Sequence, residues 1–288
     1  MTALTENYRR NCELKNGIEL PEGMCRYAAA IEYDGAAYRG FQIQASAANT
    51  VQAALQDALS FIADEPITVA CAGRTDAGVH ATQQVIHFDT LAVRPIRAWI
   101  EGTNTQLPAG IRVRWVKQVP GSFHARFCAR SRRYRYVLYS NAVKPALFAE
   151  QMTWCKYGLD LEAMQMGAEC LLGEQDFTSF RATQCQAKSP VRNLHYIKVA
   201  RHGELIVLDL RANAFLHHMV RNIVGVLLEV GRGAKPPAWV GDVLHARDRK
   251  AAAATAPAFG LYFVGVHYPD EYQLPQLPAG PIFLSDLA

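Results

Sequence analysis

Pro66-Ile67-Thr68-Val69-Ala70-Cys71-Ala72, then Gly73-Arg74-Thr75-Asp76-Ala77-Gly78-Val79-His80-Ala81, then Gln83-Gln84-Val85-Ile86-His87-Phe88-Asp89 is the stretch from which the fold is read. The outer runs read as strands, and the middle reads as a tight loop between them. On that loop a guanidinium and a carboxylate stand two residues apart between two glycines. Glycine adopts backbone conformations closed to other residues and lets another molecule approach closely. Asp and Gly are also ordinary turn residues, so the meaning of the loop depends on its surroundings.

Before the loop, residues 26–34 predict a strand, and Gly35 and Gly40 punctuate the connection that follows. Asn49-Thr50 offers a cap for a helix over 51–65, whose Val51, Leu55, Ala58, Leu59 and Ile62 share one face. Beyond the loop, a helix is predicted over 96–104. A strand over 111–118 follows, alternating Ile111, Val113 and Trp115 against Arg112 and Arg114. The order is β-α-β-β-α-β.

The second half repeats that order without residue-level identity. A strand at 133–139 precedes a helix at 159–172 with Leu161, Met164, Ala168 and Leu171 on one face. Strands 191–201 and 205–212 pair across His202-Gly203. An apolar helix at 218–230, a short one at 239–247 and a closing strand at 261–268 complete the half. The expected fold is α+β, with two tandem RRM-like or ferredoxin-like units, mostly antiparallel sheets and a catalytic cleft between them. The expected divisions are an extension over 1–25, a subdomain over 26–122 carrying the Asp76 loop, a subdomain over 123–270, and a proline-rich tail over 271–288.

Composition narrows the function. The chain has 288 residues, half of them hydrophobic, enough for two domains. No stretch is long and apolar enough for a bilayer, so no membrane partner is expected. The start of the chain shows no apolar signal core. The seven cysteines form no CxxC pair, which argues against zinc ribbons and disulfide frameworks and for a cytoplasmic, reduced protein. No phosphate-cradling glycine motif is present, and Ser179 lacks a nucleophile elbow. His80, His87 and Asp89 read as strand residues. His217-His218 read as helix neighbours pointing apart, so no metal site is expected.

The net charge of +4 is unevenly spread. Residues 1–122 carry 11 basic against 12 acidic side chains, and residues 123–288 carry 19 against 14. Arg126, Arg130, Arg132, Arg133, Arg135 and Lys144 lie within 123–149 with no acidic residue among them, interleaved with Tyr134, Tyr136 and Tyr139. That pattern reads as a surface for phosphates and stacked bases.

The Gly73–His80 sequence resembles the catalytic motif of the tRNA pseudouridine synthase A family. Ile31-Glu32-Tyr33-Asp34-Gly35, Gly40-Phe41-Gln42, Phe123-His124-Ala125-Arg126-Phe127 and Arg132-Arg133-Tyr134-Arg135-Tyr136 resemble further family segments in the family's order. So do Leu172-Gly173-Glu174-Gln175-Asp176-Phe177-Thr178-Ser179-Phe180, Asn213-Ala214-Phe215-Leu216-His217-His218-Met219-Val220-Arg221-Asn222 and Gly260-Leu261-Tyr262. Together they span roughly residues 26–270. Phe41 stands where many members have Trp, a conservative change.

The resemblance implies an isomerase that turns uridines at positions 38, 39 and 40 of the tRNA anticodon stem-loop into pseudouridine. It implies no cofactor, tRNA as partner, and a homodimer. It makes Asp76 the catalytic nucleophile, Arg221 its basic partner, and Tyr134 the active-site tyrosine that packs on the uracil. Leu261 would wall the other face of the base, and Arg74 would fill the space the flipped nucleotide leaves. Arg74, Arg94, Phe123, His124, Ala125, Arg126 and Phe127 fall at positions that touch tRNA. Two other activities share these features: RNA binding without catalysis, and uracil excision.

Overall fold

The structure is a computed structural model that describes residues 20–44 and 49–284. Most of the extension expected over 1–25 therefore lies outside the described residues, as do the last residues of the tail. The fold is mixed α/β with largely antiparallel pairing. It divides into two compact units. Unit 1 holds the described residues through Arg130 together with those from Phe263 onward, and unit 2 is Ser131–Tyr262. Residues 123–130, expected in the second subdomain, thus belong with the first, and so does most of the strand expected to close the second.

In unit 1, β1 (Cys25–Tyr33) pairs antiparallel with β3 (His80–Thr90) on one side and with β4 (Ile111–Val119) on the other. The order is β4-β1-β3, with β10 (Leu261–His267) beyond β3. Helix α1 (Val51–Ala63) starts where Thr50 accepts from the Ala53 N–H at 3.3 Å. It ends at Asp64, whose left-handed backbone stops it short of the expected residue 65.

The strand expected over 66–72 is largely absent. Only β2 (Ala70–Cys71) pairs with β3. The preceding backbone is claimed by α1 side chains instead: Ile67 N–H donates to Ser60 Oγ at 2.8 Å and Val69 N–H to Gln56 Oε1 at 3.1 Å. The helix expected over 96–104 is a wide π-type turn, Ala98–Gly102, that tightens into α2 (Thr103–Gln106). Its Trp99 is fully buried against Tyr27 and Phe88.

In unit 2 the strand order is β5-β9-β8-β7, from β5 (Ser131–Ser140), β7 (Gly173–Asp176), β8 (Val191–His202) and β9 (Leu205–Ala212). A short β6 (Thr153–Cys155), absent from the sequence reading, runs parallel to β5. Helix α3 (Leu161–Glu169) lies on β8, where Gln165 Oε1 accepts from Val199 N–H at 2.9 Å. Helix α4 (Met219–Gly231) is buried along most of its length, and α5 (Trp239–Ala246) follows.

Helix α4 starts one residue later than expected, because His218 takes a left-handed conformation (φ 61°). His217 and His218 are therefore not helix neighbours pointing apart. Their rings lie 4.1 Å apart at 43°.

Candidate active site

Each unit carries part of the predicted set, and unit 1 carries the loop. Gln84 is fully buried on β3 and its amide holds Gly73 twice, accepting from the N–H and donating to the C=O. Thr75, two residues on, is pinned by its hydroxyl to Tyr33 at 2.7 Å and by its carbonyl to Phe41 N–H at 3.0 Å. Burial raises the Tyr33 phenol above its usual range, so it stays neutral beside the loop.

The loop also fits closely against the 35–41 connection. A Cβ at Gly40 (φ +95°) would lie 2.8 Å from the Thr75 carbonyl oxygen, and one at Gly35 would meet the Val79 oxygen at 1.9 Å. Only glycine serves at these two points. Gly78 (φ +78°) and a Val79 N–H bond to the Asp76 carbonyl at 3.1 Å close the turn. Buried anchors on both sides thus leave Asp76 half-buried and Arg74 exposed at the tip. His80 is fixed beneath, its Nδ1 accepting from Gly35 N–H at 3.0 Å.

The 123–127 segment divides by burial. Phe123 and Ala125 are both 0% exposed, so their side chains belong to the core. Phe123 packs on Tyr268 and Tyr272, with ring centres at 5.2 and 5.0 Å. Outward stand Arg126, exposed over the Phe127 ring at 5.7 Å, and the half-buried His124 and Phe127.

Two imidazoles shape this turn. His124 Nδ1 accepts from Arg126 and Phe127 N–H, and His87 Nδ1 accepts from Ala125 N–H at 3.2 Å. Burial, then the neighbouring His124 and Arg26, push His87 down to about 3, so it is the neutral acceptor this bond needs. Arg94 is engaged elsewhere, donating to the Ile62 and Ala63 carbonyls at the end of α1.

In unit 2, Tyr134 lies on β5 at 8% exposure, edge-on to Phe215 with ring centres 5.0 Å apart. Tyr136 on the same face is spent structurally: its hydroxyl meets Thr153 Oγ1 at 2.7 Å and the Pro257 carbonyl at 2.8 Å. The adjacent carbonyl, Ala256, accepts from Arg221 Nε at 2.8 Å. The same segment runs on to Gly260, whose carbonyl takes Val137 N–H from β5, and then to Leu261, 6% exposed. Arg221, Tyr136 and Leu261 are thereby tied to one stretch of chain.

The basic and aromatic run does not form one surface. Side chains alternate across a strand, so Arg133 and Arg135 face away from Tyr134 and Tyr136. The register places Arg135 opposite Asp209. Asp209 accepts from Arg133 at 2.8 and 2.6 Å, from Arg135 at 2.8 Å and from the Tyr196 hydroxyl at 2.9 Å. Burial alone would raise the Asp209 carboxyl, but the bonds from the two arginines outweigh it and hold it below its usual range. Two of the six basic residues are therefore paired within unit 2. Arg126, Arg130 and Lys144 remain exposed.

Sequence reading missed Asp209, sixty residues beyond the run it neutralises, along with Gln84 and the 254–257 segment. Strand register alone would have found Asp209.

The tRNA pseudouridine synthase family matches residues 29–128 and 168–269. A protein of Legionella pneumophila (strain Corby), "tRNA pseudouridine synthase A", is 57% identical over 90% of this chain and 98% of its own length. Those of the same name from Klebsiella pneumoniae and Pseudomonas aeruginosa are 56% and 54% identical. They cover 91% and 92% of this chain, and 97% and 93% of their own lengths.

Proposed function

The chain belongs to the tRNA pseudouridine synthase family, and we propose that it isomerises uridine to pseudouridine in the anticodon stem-loop of tRNA, with Asp76 as its catalytic residue. The observation that carries the proposal for Asp76 is its place at the tip of a loop anchored on both sides by buried groups, beside the exposed Arg74.

The reaction breaks the N1–C1′ bond, turns the uracil, joins C5 to C1′, and exchanges the C5 proton for one on N1. Nothing is gained or lost, so no cosubstrate is required. A carboxylate serves as nucleophile or base, and a neighbouring cation is needed to keep it charged where water is scarce. Arg221 is assigned that positive charge. Tyr134 and Leu261 are assigned to the two faces of the base, and Arg74 to the gap left in the RNA by flipping. Arg126, His124 and Phe127 are assigned to the RNA backbone, with Phe123 and Ala125 in the same segment and the exposed Arg94 as further contact positions.

The reading of two ferredoxin-like units rests on strand order. In unit 1, β1 and β2 flank β3, and β4 lies outside β1, the order such a unit requires. A homodimer and a cytoplasmic location belong to the same proposal. No helix among the described residues is long and apolar enough to cross a membrane.

The test supplies unmodified tRNA transcripts, tritiated at uridine C5, to the purified chain without cofactor. Tritium entering water with the base still attached to the RNA is expected. Release of free uracil would instead mark an excision enzyme, and tRNA binding without tritium release would mark a binding protein.

A further inference from the structure

Asn222 is a polar side chain with no exposure at all, next to Arg221 in the first turn of α4. Its Nδ2 donates to the Phe180 carbonyl at 2.7 Å. Its Oδ1 accepts from Thr255 Oγ1 at 2.7 Å and from Arg249 Nη2 at 3.2 Å, and Arg249 Nη2 also reaches Thr255 Oγ1 at 3.0 Å. A buried amide used this fully fixes what it touches.

What it touches is the segment that holds Arg221. Residues 252–257 have no regular secondary structure of their own. Ala256, directly after Thr255, bonds Arg221 twice: its carbonyl accepts from Arg221 Nε at 2.8 Å and its N–H donates to the Arg221 carbonyl at 3.1 Å. The segment lies hard against α4, since a Cβ at Gly225 would come 2.0 Å from the Ala254 carbonyl oxygen. With Nε committed to Ala256, the plane of the guanidinium is set by where that carbonyl stands. Helix packing alone would leave a long arginine side chain several rotamers, each costing entropy to select.

We propose that the Asn222–Thr255 hydrogen bond, braced by Arg249, positions Arg221 by fixing the Ala256 carbonyl, and that Asn222 and Thr255 are positioning residues for the reaction. The proposal rests on the assignment of Arg221 to the chemistry made above.

Thr255 is the position to change. Asn222→Ala would take the Asn222 donor from the buried Phe180 carbonyl and so mix a stability loss with any positioning effect. Thr255→Val keeps the side-chain shape and removes only the hydroxyl, and Thr255→Ser restores it. Turnover number, tRNA affinity and melting temperature are measured for both variants, with Arg221→Lys alongside. Thr255→Val is expected to lower kcat by roughly tenfold, the size of one well-made hydrogen bond. Affinity for tRNA should stay within about twofold, and Thr255→Ser should recover most of the loss.

A Thr255→Val enzyme with full kcat, or one whose loss appears only in affinity or melting temperature, overturns the positioning role. Failure of Thr255→Ser to recover kcat does the same. Full turnover in Arg221→Lys would overturn the assignment of Arg221 itself. Loss in Arg221→Lys with full turnover in Thr255→Val would overturn this inference alone.

Discussion

The turn around Arg126 and the strand around Arg133 and Arg135 lie within ten residues of each other, and both are basic and aromatic in sequence. They use their charges oppositely. In the turn, the Nδ1 atoms of His87 and His124 accept from backbone N–H groups, and Arg126 is exposed over Phe127. In the strand, a carboxylate from β9 takes up both guanidinium groups, with Arg135 at 3% side-chain exposure and Asp209 at 12%. A run of like charges therefore says little about a binding surface until the register shows what each charge faces. In the turn the charge stands outward over a ring. In a sheet a partner strand supplies an answer.

The comparison breaks most visibly at Asp209. Asp209→Asn leaves two arginines with an uncharged partner, one of them buried, and should cost about 3 kcal/mol of stability, read from denaturant unfolding. Loss of under about 1 kcal/mol would mean the strand charges are not locked as described.

Acid tests the turn. The pKa of His87 is about 3 when folded, against about 6.5 when unfolded. The unfolded chain therefore binds the extra proton first. The stability contribution is complete above about pH 6.5 and is lost as pH falls toward 3, by about 2 kcal/mol at pH 5. His87→Asn keeps an acceptor and removes the titration. Its stability should vary less between pH 7 and pH 5 than that of the unaltered chain. Equal slopes would contradict a neutral, buried His87.

The smallest effects separate the two regions by function. Arg126→Ala should weaken tRNA binding by about 1 kcal/mol and reduce the slope of log affinity against log salt by about 1. Arg133→Ala should change neither by a measurable amount. The reverse ranking would return the RNA surface to the strand.

The parts legible in the sequence are those written in local pattern. Thr50 announces the start of α1, and the alternation of Ile111, Val113 and Trp115 announces β4, because capping and side-chain period depend on a few neighbouring residues. The 66–69 stretch reads as strand but forms no ladder, since its donors are taken by Ser60 and Gln56. Propensity measures shape and not partners. Burial at Phe123 was illegible for the same reason: its cover, Tyr268 and Tyr272, comes from the far end of the chain. Among the site residues, Asp76, Tyr134, Arg221 and Leu261 stood out by resemblance to a family. Gln84 and Thr255, which lie outside the segments of that resemblance, did not, since each makes contacts distant in sequence.

The central claim is that this chain makes pseudouridine in the anticodon stem-loop through Asp76. Its most direct test is to map pseudouridine, residue by residue, in a tRNA transcript treated with the unaltered chain or with Asp76→Asn, with tRNA affinity measured for both. Pseudouridine at one or more of positions 38, 39 and 40, absent with Asp76→Asn although tRNA is bound within about twofold as tightly, is the predicted result. Pseudouridine formed equally by Asp76→Asn would contradict it.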